Sequence, residues 1–257
     1  KILISSLHSI NAINFSYNYF IFIFTFFNLY ISNAQKNEIE FKKIFIEIEG
    51  EEVYDVSKIV QDHQGYIWMA TNLGLIKYNG IEGKKYNKKV NDASIIIGEV
   101  GALFVDSQGD IWIGSNSGLS KYNPDCDCIY RYPSIDIDTH LTSVLSITED
   151  KNQDLWFGTQ NGELYRYTKE NNSITQFLNA PSESINHTET SITNLIVDQN
   201  NNLCIGTHSF LPENSLGLIQ FNIDTGAIKQ FLNEPENPKN LLDNRISALY
   251  EDNKAKY

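Results

Sequence analysis

The residues whose types and spacing most invite chemistry are the two thiols of "PDCDCIY", Cys126 and Cys128, set beside Asp125 and Asp127 with His140 further on. Thiolates, carboxylates and an imidazole are a metal-ligand set, but zinc sites usually space their cysteines by two to four residues and need a second pair to complete a tetrahedron. The remaining cysteine, Cys204, is a single residue far away, so no metal or other cofactor is expected. Cys126 and Cys128 are read as unpaired thiols, with a strained or external disulfide as the alternative, and an oxidising compartment makes their state worth determining. Asp and Asn also alternate in "DKNQD" (150–154) and "DQNNN" (198–202), as at the start of a calcium loop. Such a loop needs a glycine next and a bidentate glutamate beyond it. Leu155 and Leu203 occupy the glycine position, and turn formation is the simpler use of these side chains.

Catalytic constellations are missing. No G-x-S-x-G, H-E-x-x-H or phosphate loop occurs, and His8, His63, His140, His187 and His208 are scattered. Any two of the 32 acids could converge as a glycosidase pair, but the acids that recur do so in turns, and the chain is read as a non-enzyme. Its formal net charge is −12 over 257 residues, with no basic patch to follow a phosphate backbone, so nucleic acid is not expected as a partner. An acidic surface is also repelled by anionic lipid.

The elements that position these residues repeat. "GYIWMATNLGLIKYNG" (65–80), "GDIWIGSNSGLSKYNP" (109–124) and "QDLWFGTQNGELYRYT" (153–168) share one register, and "NNLCIGTHSF" from 201 continues it. Trp68, Trp112, Trp156 and Cys204 each follow an aspartate by six residues: Asp62, Asp106, Asp150 and Asp198. A further copy begins at "NRISALYEDNK", with Asp252 at the aspartate position. A period in the forties is that of propeller blades and of some helical repeats. The runs are short, apolar or alternating, and closed by turn clusters, so they read as strands. Each aspartate opens a hairpin by accepting from the N–H two residues on, followed by Gly65, Gly109, Gln153 or Asn201 where positive φ is needed; Gln153 suits this least. Gly74, Gly118 and Gly162 mark a second hairpin. Four antiparallel strands in about forty residues make one blade.

The run D-x-x-G-x-I-W-[IM]-[GA]-[TS]-x-x-G-L-x-K-Y-[ND] resembles the two-component regulator propeller repeat, over roughly residues 38–257. Cys204, Gln153 and an insertion, "SFLPENS" (209–215) before Gly217, depart from it. The resemblance implies an all-β propeller of four-stranded blades at about 52–90, 95–133, 141–179 and 190–232, with a further blade starting at 243–257. It also implies the periplasmic sensor region of a hybrid two-component histidine kinase of the Bacteroidetes type, whose ligands are often oligosaccharides. The partners so implied are the rest of the propeller and a downstream kinase in the same polypeptide, with a homodimer when full length. A secreted scaffold or a polysaccharide-active lyase is the alternative.

Residues 1–34 read as a signal peptide: "YFIFIFTFFNLYI" (19–31) has the length of its apolar segment, and Ser32, Asn33 and Ala34 precede a cleavage point. Lys1 is the only charge there, and the only methionine is Met69. Together with the incomplete set of blades this reads as a fragment of a larger ring, in which "IEFKKIFI" (39–46) is the fourth strand of a blade whose other strands are absent. Trp68, Trp112 and Trp156 are expected to wedge between blades, with Cys204 as a small buried hydrophobe in the same place. Loops after the second strand of each blade reach one face, together with those between blades. They offer Asn72, Asn116, Gln160, Asn161 and His208, uncharged groups able to bind sugar hydroxyls, although Asn also simply favours turns. The insertion at 209–215 is a further candidate.

Overall fold

The structure, a computed structural model, describes residues 45–86, 99–131, 143–178, 190–237 and 240–252. The expected signal peptide, most of the 39–46 run, His140 and His187 lie outside the described residues.

Four sheets of four strands follow one another in chain order. The first contains β3 (Val56–Gln61), β4 (Ile67–Thr71), β5 (Gly74–Tyr78) and β6 (Gly83–Tyr86), preceded by a hairpin of β1 (Ile46–Ile48) and β2 (Glu51–Val53). The second contains β7 (Val100–Val105), β8 (Ile111–Ser115), β9 (Gly118–Asn123) and β10 (Cys128–Arg131). The third is β11 (Val144–Glu149), β12 (Leu155–Thr159), β13 (Leu164–Thr168) and β14 (Ser173–Leu178); the fourth is β15 (Thr190–Val197), β16 (Asn202–Ser209), β17 (Leu218–Asn222) and β18 (Ile228–Phe231). Neighbouring strands in each sheet are antiparallel, no ladder joins one sheet to the next, and the first strands of successive sheets face one another. This is the all-β propeller arrangement. Among the described residues the helical structure is a 3-10 turn, Pro212–Asn214, inside the insertion.

Each blade packs both faces, which is why its central strands read as nearly continuous apolar runs. Ile111 and Ile113 of β8 pack back against Trp68, Ala70 and Leu75 of blade one, while Trp112 on the same strand packs forward against Leu155 and Phe157 of blade three. Trp156 repeats this against Leu203, Ile205 and Phe221. All three tryptophans are at most 1% exposed. The small residue two positions after each Trp has a steric cause. A Cβ on Gly114 would lie 2.6 Å from Val144 Cγ1, one on Gly158 would lie 2.3 Å from Ile192 Cγ2, and one on Gly206 would lie 2.8 Å from Ile246 Cγ2. Val144, Ile192 and Ile246 stand six residues before Asp150, Asp198 and Asp252. The apolar residue of each incoming first strand therefore seats on the small residue of the blade before it.

The aspartates do more than turn the chain. Asp106 Oδ1 accepts the N–H groups of Gln108 and Asp110, at 3.1 and 2.8 Å, and its Oδ2 accepts the Trp112 indole at 2.9 Å. Asp62 and Asp150 hold Trp68 and Trp156 in the same way, at 2.8 and 2.9 Å. The six-residue spacing is thus a hydrogen-bond distance folded through a hairpin, satisfying an indole that burial would otherwise leave unpaired. The turn residues at positive φ include Gln153 (66°) and Asn201 (61°) as well as Gly65 and Gly109. With Asp150 and Asp198 spent on backbone N–H groups, the calcium-like stretches are hairpins.

Where Trp is replaced, the bond is replaced too. Asn202 donates to Asp198 Oδ2 at 2.8 Å, with Gln220 at 3.4 Å. Cys204 is a correction to the expected buried hydrophobe, being half-buried. Trp68, Trp112 and Trp156 each lie under a following blade, whereas the described residues after β18, 232–237 and 240–252, form no sheet over Cys204. Burial, with Asp198 and Glu251 near by, pushes the Cys204 thiol up, so it stays protonated.

One other expectation is corrected, the state of the paired thiols. Cys126 and Cys128 are joined in a disulfide rather than free. The tight turn brings the two Cα atoms within 5.2 Å and holds the intervening Asp127 at φ 47°. Asp127 accepts from Tyr122 at 2.7 Å and from Tyr86 of blade one at 2.5 Å, and pairs with Lys84, tying the outer edges of two blades. Burial would raise its carboxyl, but these donors outweigh it and bring it to about 2. Ile46, at the described end of the 39–46 run, pairs with Val53 in a small hairpin; Ile48 packs on Met69 and Ile76, covering the outer face of blade one. Glu49 and Gly50, both at positive φ, form the tight turn that makes this pairing local. Residues 243–252 are in no ladder, although the Ile246 N–H reaches the Thr207 carbonyl at 2.8 Å.

A buried ion pair joins blades two and three. Lys169 donates to Asp106 Oδ2 at 2.8 Å and to Glu149 Oε1 at 2.9 Å. Burial alone would raise the Asp106 carboxyl, but Lys169, the Trp112 indole and the Asp110 N–H hold it below its ordinary value. Burial likewise lowers Lys169, and its two acids outweigh that and raise it. Lys169→Met should cost about 2 kcal/mol, less than a fully buried pair because the lysine is partly exposed. The carboxylate's folded value lies below its unfolded one, so its contribution is whole above about pH 4 and fades as pH falls through the folded value. Lys169 contributes fully below about pH 10 and loses its share as pH rises past its own raised value. Denaturant titrations should therefore show a parent-to-variant difference that is flat through neutrality and shrinks in acid; a difference that grows in acid would contradict the assignment.

Candidate functional site

In each blade the second strand ends in a hydroxyl residue that builds the hairpin after it. Thr71 Oγ1 donates to the Gly74 carbonyl at 2.9 Å and accepts from the Leu73 N–H at 3.0 Å; Ser115 and Thr159 act in the same place. The next residue's N–H closes the blade's end: Asn72 donates to the Asp55 carbonyl at 3.1 Å, Asn116 to Glu99 at 3.2 Å and Gln160 to Ser143 at 2.8 Å. The candidate residues are thereby fixed at equivalent places on one edge of successive blades, all exposed.

Their side chains are not equivalent. Asn72 Oδ1 accepts the Tyr54 N–H and its Nδ2 donates one proton to the Glu52 carbonyl, both at 3.3 Å, so the amide ties the β2 segment to blade one. Asn72 is thus a clamp for the preceding segment as well as an exposed amide on this edge. The Asn116 Oδ1 accepts from Ser117 Oγ at 3.3 Å, and Gln160 and Asn161 are exposed in the blade-three hairpin. His208 is also corrected: it lies within β16, opposite Ser191, and not in a turn. The insertion moves that hairpin outward, with the Ser209 N–H donating to Ser215 Oγ at 2.8 Å.

Sequence reasoning missed the residues that open the first strands. Asp55, Glu99, Ser143 and Ser191 each stand seven before a turn aspartate, a register visible in the chain but not carried back that far. Asp55 and Glu99, with Ser57, Thr71 and Asn72, line a cleft of about 340 Å³ between blades one and two. Ser57 is in the bulge between Val56 and Lys58, and an equivalent register shift opens every first strand. Carboxylates, hydroxyls and amides on a concave edge accept and donate hydrogen bonds to polyols. Among the described residues no three His, Cys, Asp or Glu side chains are grouped to hold a metal.

The fold and this edge define a β-propeller protein. Residues 94–117 and 141–161, the junctions that carry blades two and three, match the family model described as two component regulator propeller. No curated protein sequence matches the chain. Among solved structures, the extracellular domain of a protein described as a hybrid two-component system from B. thetaiotaomicron is 20% identical over 77% of this chain and 26% of its own, with a TM-score of 0.53. PorZ, a surface component of the type-IX secretion system of Porphyromonas gingivalis, is 16% identical over 79% of this chain and 30% of its own, with a TM-score of 0.53. Virginiamycin B lyase from Staphylococcus aureus, solved as an inactive variant with quinupristin, is 18% identical over 75% of this chain and 60% of its own, also at 0.53. These likenesses are of fold. The chain spans less than two thirds of each of these structures' length.

Proposed function

We propose that these blades are the periplasmic, ligand-binding part of a hybrid two-component histidine kinase, and that they bind an oligosaccharide without turning it over. The match of two blade junctions to the regulator-propeller family supports the sensor class. The ligand reading rests on one observation, the cleft between blades one and two lined by Asp55, Glu99, Ser57 and Thr71. Two exposed carboxylates accept hydroxyl hydrogen bonds and repel anionic sugars, which favours a neutral oligosaccharide. Asn116 on blade two, and Gln160 and Asn161 on blade three, extend the same edge to one further blade. A ligand bridging them would brace neighbouring blades, the differential contact a sensor needs to bias kinase domains of the same polypeptide, acting as a homodimer.

Calorimetry with a panel of neutral oligosaccharides tests this. Asp55→Asn with Glu99→Gln should weaken binding about tenfold, the scale of one or two lost hydrogen bonds, and Asn116→Ala with Gln160→Ala should weaken it further. Binding that survives all four changes would remove this edge from consideration. Product appearing in the same samples would replace the sensor with a propeller lyase.

A further inference from the structure

We propose that the opposite end of the blade one/two junction holds a second site, for a monocarboxylate, with Lys77 as its charged anchor. The repeats supply an internal control. A cation or amide sits directly across the second hairpin from each Trp-position residue: Lys77 pairs Trp68, Lys121 pairs Trp112, Arg166 pairs Trp156 and Gln220 pairs Cys204. In blades two and three it meets an acid four residues after the turn aspartate. Lys121 reaches Asp110 Oδ2 at 2.6 Å, and Arg166 reaches Asp154 Oδ2 at 2.6 and 3.0 Å. In blade four neither charge is kept, and Gln220 and Asn202 share Asp198. Blade one alone keeps the cation and loses the acid, because Tyr66 stands where Asp110 and Asp154 stand.

Lys77 is half-buried among rings, its ammonium 4.3 Å from the Tyr66 centroid, 4.9 Å from Tyr122 and 5.3 Å from Trp68. It donates to Tyr122 Oη at 3.1 Å, and among the described residues no carboxylate comes within ion-pair distance of it. Tyr122 donates its own hydroxyl hydrogen bond to Asp127. Two ammonium protons are left for a ligand.

There is room for one. A cleft of about 180 Å³ opens beside Lys77, lined by His63, Gln64, Gln108 and Tyr122. The other junctions are sealed on this side: Gln108 donates to Gln153 at 2.9 Å, Ser107 to Glu149 at 2.8 Å, and Lys151 to the Gln199 carbonyl at 2.7 Å. Among the described residues no hydrogen bond joins the blade-one turn, 62–66, to the blade-two turn, 106–110; the His63 ring lies against Gly109, which has no Cβ to exclude it. Asp62 and Asp110 also line the cleft, but Asp62 is spent on two backbone N–H groups and the Trp68 indole, and Asp110 on Lys121. Their charges favour a single carboxylate over a phosphate dianion. The space is below the ~300 Å³ at which drug-sized pockets begin, so it takes one small acid or one sugar-acid unit.

Calorimetry of the full chain with glucuronate, acetate, glucose and inorganic phosphate tests the site. Saturable glucuronate binding is expected, with none for glucose. Lys77→Gln should weaken it at least tenfold. Tyr66→Asp, which restores the acid of blades two and three, should abolish it while raising the melting temperature, and so separates an occupied site from a damaged fold. Acetate binding as tightly as glucuronate would assign the site to small organic acids, and glucuronate alone to sugar acids. No saturable carboxylate binding, or binding unchanged in Tyr66→Asp, or phosphate bound as tightly and unaffected by Lys77→Gln, would overturn the proposal. The neutral-sugar edge is untouched by either substitution, so the two sites fail independently.

Discussion

Trp156→Ala should lower the unfolding free energy by about 3 to 5 kcal/mol, read as a fall in denaturant midpoint at unchanged slope. The indole is fully buried between Leu164 of its own blade and Leu203, Ile205 and Phe221 of the next, so its removal leaves a hole that two rigid sheets cannot close. It also strips a donor from Asp150, whose side chain has no exposed surface. Trp156→Phe separates the effects: it keeps most of the ring volume and deletes the indole N–H, and should cost about 2 kcal/mol, the range for a hydrogen bond to a charged group. A Trp156→Ala variant within about 1 kcal/mol of its parent would remove Trp156 from the blade interface.

Gly158→Val should cost more than about 3 kcal/mol, beyond ordinary overpacking. A first side-chain carbon there would already lie 2.6 Å from Ile192 Cβ and 2.8 Å from Ser146 Oγ. The Ile192 Cβ is fixed to its own backbone and cannot swing away, so the third and fourth blades must separate. Ile192→Ala in the same molecule should restore part of the loss, because the two residues share one contact and their effects are not additive. Equal and additive losses would mean that Gly158 acts through its own backbone instead.

Much of the blade was legible in the chain because it is built from hairpins. The turn aspartates, Gly65, Gly109, Gly74 and Gly118 act on residues two to six positions away, and such short-range geometry recurs whenever its residues recur. Four copies of one spacing therefore determined strand count, strand order and the burial of Trp68, Trp112 and Trp156. Gln153 and Asn201 took the glycine's positive φ because the aspartate and the pairing strands over-determine the turn.

What the chain alone left open depends mostly on contacts between separate hairpins. Lys169 meets Asp106, Ile192 meets Gly158, and Asp127 meets Tyr86 only when one blade lies against the next. Asn72 was read as a loop amide facing a ligand, and the tertiary structure adds a second role, because the β1–β2 hairpin returns to bond its Oδ1 and one Nδ2 proton. His208 was read as a turn residue, but the seven-residue insertion pushes the hairpin past it. Cys126 and Cys128 were read as free thiols with a disulfide as the alternative, and the turn at Asp127 decided for the disulfide. Local spacing specifies a sheet, because its strands are neighbours in sequence. The saturation or freedom of a polar group is set by whatever surface is packed against it, and that surface usually comes from outside its own hairpin.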